Sequence, residues 1–299
     1  MDLNHRPLGY EPSGLPGCPT PLPTCAWRAL FIKPIDGALG PPSVGSGPPF
    51  TCSRAVLGGA GMARLRAVLF DAFGTLLDAG GLHLEATEAI LAELGLSGRV
   101  GAEELHRRWD EHLMAFWQGG RFSKTWDMFM ASLWEALRDF GVSVRPDELE
   151  VAGAILLNTF SKTRLYGGAR ELLSFCRSLG LRTGIVSDAD ASLLRSLLSK
   201  HGLMALLDAI VISDEVGFLK PDPRVFETAL RAVGCEAGEA LMVGDARRDI
   251  EGAKGIGMLA ALVLHAGRGL PELSVEPDII VGSLAELRGP IAVLAGAMP

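Results

Sequence analysis

From Arg64 onward, short continuous apolar runs alternate with stretches whose apolar positions recur every three or four residues. The runs are Arg66–Phe70, Arg182–Ser187, Ala209–Ser213, Ala240–Val243 and Leu259–Leu264, with a shorter one at Ile279–Val281. A continuous apolar run of this length reads as a strand covered on both faces. Helical patterns lie between the runs, at Ala169–Leu179, Ala191–His201, Arg224–Val233 and Asp249–Ile256, and a last one starts at Ser283. Strand–helix alternation of this kind predicts an α/β fold: a parallel sheet with helices on both faces.

The alternation stops once, between the first and second strands. There the period is helical throughout, predicting helices over His83–Leu94, Ala102–Gln118, Ser123–Phe140 and Pro146–Phe160. Gly95, Gly119-Gly120 and Gly141 fall where helices would end, and Pro146 suits a helix start. Trp109, Trp117, Trp126 and Trp134 all lie in this stretch, as do Phe116, Phe122, Phe129 and Phe140. The plainest reading of these aromatics is the core of a helical bundle, with a few left to line a cleft. The expected organisation is therefore a core from residues 62–80 and 162–299, and an inserted α-helical bundle cap from 81–161.

Residues 1–61 differ from all that follows. They hold eleven of the eighteen prolines and ten glycines, with no sustained apolar period, so they bury too little to offset their ordering entropy. They also lack the basic start and apolar centre of a signal peptide. We expect this segment to be unfolded, or not translated at all, with Met62 as the functional start.

Composition narrows the classes. At 48% hydrophobic and 21% charged residues the chain is of globular type. A net charge of −7 argues against a nucleic-acid partner. No apolar stretch approaches the roughly 18–20 residues that span a bilayer. Three of the five cysteines fall in the first segment, and Cys176 and Cys235 have no metal-ligand spacing, as expected of a reduced, cytoplasmic protein. The expected partner is a small-molecule substrate; no feature specifies an oligomeric state.

Candidate chemistry sits at the strand ends. Asp71-Ala-Phe-Gly-Thr75 follows the first strand and Ser187 ends the second. Lys220-Pro-Asp-Pro223 follows the third, and Gly244-Asp245…Asp249 the fourth. In an open parallel sheet, ligands collect beyond the carboxyl ends of the strands. Carboxylates, a hydroxyl and an ammonium delivered to that edge could hold Mg²⁺ and a phosphoryl-sized anion around an aspartate nucleophile. Taken singly, each has a structural alternative: Asp71 as a turn residue, Ser187 as a strand end, Lys220 as a solvated loop residue, Asp249 as an N-cap.

Together, in this order and with a helical insertion after the first strand, these motifs resemble the haloacid dehalogenase-like hydrolase superfamily, in its branch with a helical cap at that point. The resemblance spans residues 64–299 and implies a Rossmann-like core. It implies Asp71 as nucleophile, Ser187 and Lys220 as catalytic groups, and Ser187, Asp188 and Lys220 around the phosphate. It implies Mg²⁺ held by Asp71, the Phe73 carbonyl and Asp245, with Asp249 holding a metal-bound water or Lys220.

One position departs from the pattern. Phosphate-ester hydrolases of the superfamily usually carry a second Asp two residues after the nucleophile, as general acid and base; here that residue is Phe73. The 2-haloacid dehalogenases also lack it, because halide leaves without a proton. They generally work without a metal, however, and replace the Gly-Asp that this chain keeps as Gly244-Asp245. Two acids facing Asp71 without a cation would repel one another, so a Mg²⁺-dependent phosphatase is the favoured expectation. A 2-haloacid dehalogenase and a non-catalytic binding fold are the alternatives. Asp188 or Asp190 could replace the missing acid, although Asp190 also suits an N-cap. Arg107 and Arg108 could meet a substrate anion, although such residues on a polar helix face are usually solvated. Lys124 and Lys162 match no Schiff-base pattern.

Overall fold

The computed structural model describes residues 51–52, 63–118 and 122–297. Its elements begin with strands β1 (Thr51–Cys52), β2 (Ala67–Phe70) and β3 (Leu77–Asp78). Four helices follow: α1 (Leu82–Glu93), α2 (Ala102–Gln118), α3 (Thr125–Asp139) and α4 (Pro146–Phe160). Then come β4 (Arg164–Leu165), α5 (Ala169–Ser178), β5 (Arg182–Ser187), α6 (Ala191–Lys200), β6 (Ala209–Ile212), α7 (Ser213–Val216) and α8 (Pro223–Val233). The chain ends with β7 (Ala240–Gly244), α9 (Arg247–Gly255), β8 (Leu259–Val263), β9 (Ile279–Val281) and α10 (Arg288–Leu294).

The main sheet has the order β1-β9-β8-β7-β2-β5-β6. All its pairs are parallel except β1 with β9, which is antiparallel. β2 lies inside the sheet, between β7 and β5, and is wholly buried. Val68 and Phe70 enter the apolar cluster on one face, Ala67 and Leu69 that on the other. That two-sided burial is why the run is continuously apolar rather than alternating, and each large side chain so buried contributes about 1.5–3 kcal/mol. The strand β1 is the one described part of residues 1–61 and was not expected. The remainder of the proposed extension, and Met62, lie outside the described residues.

Helix boundaries follow local chemistry. Asp222 caps α8 by accepting the Arg224 N–H at 2.9 Å, Pro223 supplies the first helical position, and Gly234 ends the helix at φ 69°. Asp190 caps α6 by accepting the Leu193 N–H at 2.8 Å, the N-cap role that its position suggested.

Helices α1 to α4 pack on one another around their own apolar cluster, which includes Ile90, Leu105, Trp109, Leu133 and Leu137. The buried Trp109 indole N–H donates to the Phe129 carbonyl and Ser132 Oγ, both at 3.0 Å. The chain leaves and re-enters the sheet region through an antiparallel ribbon, β3 with β4, pairing Leu77 with Leu165 and Asp78 with Arg164. Asp214, at the start of α7, accepts both the N–H (2.8 Å) and the hydroxyl (2.9 Å) of Thr125 and so caps α3 from outside the four-helix segment.

Candidate active site

The carboxyl ends of β2, β5 and β7 lie side by side, which brings Asp71, Ser187 and the turn after Gly244 to one edge. Asp71 is 5% exposed, and its N–H donates to the Val243 carbonyl at 2.9 Å, continuing the parallel ladder one residue beyond the strand. Lys220 reaches in from the loop between α7 and α8. Its buried Nζ donates to Asp71 Oδ1 at 2.6 Å, Asp249 Oδ1 at 2.6 Å and the Val186 carbonyl at 3.1 Å. All three ammonium donors are therefore placed.

Two glycines permit this crowding. Gly74 has φ +92°, and a Cβ there would lie 2.3 Å from Asp245 Oδ2. A Cβ on Gly244 would lie 2.4 Å from the Asp249 Cβ. Thr75 Oγ1 donates to Asp245 Oδ1 at 3.2 Å, and the buried His265 Nε2 meets the Thr75 carbonyl at 3.0 Å, fixing that turn. Asp249 is not the N-cap of its helix: α9 begins two residues earlier, and Asp249 Oδ2 reaches back to the Ala246 N–H at 3.1 Å. Both its oxygens are thus engaged, one by Lys220 and one by the backbone.

Ser187 is 1% exposed, and its hydroxyl has no hydrogen-bond partner among the described residues. Asp188, expected beside the phosphate, is engaged by the protein on both oxygens. Oδ1 accepts the Lys220 backbone N–H at 3.0 Å, and Oδ2 lies 3.1 Å from Arg248 Nε, close enough for ion pairing but not aligned as a hydrogen bond. Phe73 sets its ring edge-on to Phe160 of α4, with centroids 6.4 Å apart. Arg107 and Arg108 are taken up by Glu104, Glu111 and Asp139 on the exposed face of the four-helix segment, and Lys162 pairs with Glu85 at 2.7 Å.

Three residues join the site that the motifs did not announce. Arg268 pairs with Asp245 Oδ2. Arg248 contacts Asp188 and lies over the Trp117 ring, Cζ 4.7 Å from its centroid. Trp117, expected among the bundle aromatics, faces the site instead. An Arg directly before the last Asp of the motif was the one sequence signal available for Arg248.

Electrostatics follow from burial. Desolvation pushes the Asp71 carboxyl up to about 7; Lys220 opposes this, and Asp249 and Asp245 add to it. Burial likewise raises Asp245, with Asp249 adding and Arg268 opposing. Burial alone would lower the Lys220 ammonium, but Asp249, Asp71 and Asp188 outweigh it and hold the group charged. One oxygen each from Asp71, Asp245 and Asp249 lies within 4.8 Å of the others. An all-oxygen donor set whose mutual repulsion Lys220 and Arg268 only partly offset fits a hard dication such as Mg²⁺.

Residues 65–257 match the model of the haloacid dehalogenase-like hydrolases, and the chain belongs to that family. The (S)-2-haloacid dehalogenase 1 of Pseudomonas sp. (strain CBS-3) is 31% identical over 198 residues, covering 66% of this chain and 83% of that protein. The phosphoserine phosphatase of Thermus thermophilus is 31% identical over 254 residues, covering 75% of this chain and 98% of that one. A crystal structure of a dehalogenase shares the fold at TM-score 0.60 and 26% identity, covering 76% of this chain and 96% of its own. Its relatives thus include both phosphatases and 2-haloacid dehalogenases.

Proposed function

We propose that this hydrolase is Mg²⁺-dependent and acts on a small phosphorylated metabolite through a phosphoryl group carried covalently on Asp71. We further propose that residues 81–161 serve as a cap over a core built from 62–80 and 162–299. The observation that carries the reading is Asp245 set against Asp71 across Gly74, within a buried acidic group. Four carboxylates (Asp71, Asp188, Asp245, Asp249) face three cations (Lys220, Arg248, Arg268). With all four ionised, that leaves one net negative charge, which repels a phosphate dianion; a dication reverses the sign and favours the ionised carboxylates.

Each residue then has a role. Lys220 fixes Asp71 Oδ1, and Oδ2, which accepts no hydrogen bond among the described residues, is left to attack phosphorus. Ser187 donates its otherwise unpartnered hydroxyl to a phosphoryl oxygen. Asp249 holds Lys220 in place. Mg²⁺, held by Asp71, Asp245 and the Phe73 carbonyl, would supply charge neutralisation for the phosphoryl oxygens.

Two observations favour a 2-haloacid dehalogenase as the second reading: Phe73 offers no proton, and Arg268 already neutralises Asp245. An intact nucleophile with its lysine argues against a non-catalytic fold. The test is release of phosphate from phosphomonoesters and of halide from 2-haloacids, each with Mg²⁺ and with EDTA, on wild type and Asp245→Asn. Phosphate release that needs Mg²⁺ and is lost in Asp245→Asn supports the proposal. Halide release undiminished by EDTA overturns it in favour of the dehalogenase.

A further inference from the structure

Arg248 is charged, partly open to the site, and only partly used. Its side chain is 30% exposed, whereas that of Asp188 is fully buried. The 3.1 Å contact between them is not aligned as a hydrogen bond, so the Nε–H has no acceptor among the described residues, and no bond from the Nη atoms is found there. The guanidinium plane is held from the other side by the Trp117 ring on α2. The indole N–H of Trp117 is itself buried without an acceptor among the described residues. A guanidinium whose Nε is turned to Asp188 and whose Nη atoms are without acceptors among the described residues, stacked on a second donor that lacks one, calls for an anion at the Nη atoms. The four acids Asp188, Asp249, Asp71 and Asp245 all act on Arg248 electrostatically, so it belongs to the same charged cluster.

From this arrangement we propose that Arg248, stacked on Trp117, anchors a carboxylate on the part of the substrate that is not transferred. The inference rests on the phosphoester-hydrolase reading and narrows its substrate class to phosphorylated carboxylic acids. The transferred group has its own partner in Ser187 at the end of β5, beside the Asp71 that Lys220 holds. Arg248 instead stands on α9 against the four-helix segment, where the remainder of a substrate would project. A guanidinium fork matches the planar two-oxygen geometry of a carboxylate and can donate two parallel hydrogen bonds to it. Asp188, pulled toward both Arg248 and the Lys220 backbone, acts as a positioning residue that links this anchor to the catalytic lysine.

The test compares matched ester pairs, 2-phosphoglycolate with ethyl phosphate and phosphoserine with phosphoethanolamine, on wild type, Arg248→Gln, Arg248→Lys and Trp117→Leu, each verified as folded by circular dichroism. Within one protein the ratio of the two kcat/KM values cancels general damage to the site. Wild type should favour the carboxylate-bearing member by about tenfold or more, mainly through KM. The ratio should fall toward one in Arg248→Gln and lie between these values in Arg248→Lys and Trp117→Leu. A wild-type ratio near one, or a ratio unchanged in Arg248→Gln, overturns the proposal. If no ester is hydrolysed, the phosphatase reading fails, and calorimetric binding of 2-phosphoglycolate and ethyl phosphate to Asp71→Asn decides the inference separately. Tighter binding of 2-phosphoglycolate that is lost in Asp71→Asn/Arg248→Gln supports it, and equal binding of the two esters overturns it.

Discussion

Gly74 and Asp245 lie so close that any side chain on Gly74 would occupy the space of the Asp245 carboxylate: a Cβ would sit 2.3 Å from Oδ2. The turn after the first strand and the acidic motif after the fourth, 171 residues apart in sequence, are therefore packed as one unit. The Thr75 hydroxyl on Asp245 Oδ1 and the His265 ring on the Thr75 carbonyl hold it from the other sides.

Gly74→Ala should accordingly damage both stability and chemistry. An L-residue in a left-handed conformation costs about 1–2 kcal/mol before any clash. That corresponds to a fall in Tm of roughly 2–8 °C for a domain of this size. Displacement of Asp245 should in addition weaken Mg²⁺ binding. Thermal melts and Mg²⁺ titration check both expectations, and a variant unchanged in the two would show that the turn can move freely.

Asp71 gives a pH dependence with a definite sign. Burial raises its carboxyl from 3.8 to about 7, so between those values the folded protein keeps a proton that the unfolded chain has lost. This contribution to stability is full below about pH 4 and is lost as the pH climbs to about 7. A dication at the site favours the ionised form, so Mg²⁺ binding should release close to one proton at pH 6 and little at pH 8. Calorimetry in two buffers of different protonation enthalpy measures the release directly. It should disappear in Asp71→Asn.

Much of the sheet was legible because two-sided burial leaves a plain mark. Arg182–Ser187 and Ile279–Val281 match β5 and β9 residue for residue, since every position from Thr183 to Ser187 is buried and only Ile280 of β9 is partly open. The strand-end residues were legible for the same reason, each being a polar residue that terminates an apolar run. The ribbon of β3 and β4 was not, because two residues per strand carry no period. Asp249 was misplaced as an N-cap alternative because α9 starts two residues earlier, at Arg247, inside the motif. Trp117 and Arg248 escaped for a different reason. Helical spacing says that an aromatic residue is covered but not by what, and their pairing joins elements about 130 positions apart through a tertiary contact with no local signature.

The seat of the four-helix segment should depend on Asp214. The N-cap position of α3, Lys124, provides no side-chain cap, and Asp214 supplies one from α7 through Thr125. Removing a cap typically costs about 0.5–2 kcal/mol, and here the loss falls on a contact between segments. In Asp214→Ala, hydrogen exchange should quicken at the first turn of α3 while β2 and β7 keep their protection. Asp214→Asn, which retains an acceptor oxygen, should be milder. Exchange unchanged in Asp214→Ala would mean that apolar packing alone seats α3.

Phe73 tests the chemistry itself. Its ring stands where phosphate-ester hydrolases of this family usually carry an acid, and it packs edge-on against Phe160. Without a proton donor beside the leaving oxygen, transfer to Asp71 should be faster for aryl than for alkyl phosphates, because leaving groups of low pKa need little protonation. Release of the phosphoryl group from Asp71 should be slow, with no placed base to activate water, and burst kinetics would reveal it. Phe73→Asp should flatten the leaving-group dependence and raise turnover of alkyl phosphates, with proton transfer typically worth 10²–10⁴-fold where geometry allows. The same variant loses the contact with Phe160, so its Tm should fall even as alkyl turnover rises. A wild type with no leaving-group dependence would show that another group supplies the proton. Asp188 is then the next carboxylate to remove: burial holds its carboxyl above the ordinary range, partly offset by Lys220 and Arg248, and Asp190 is taken up in capping α6.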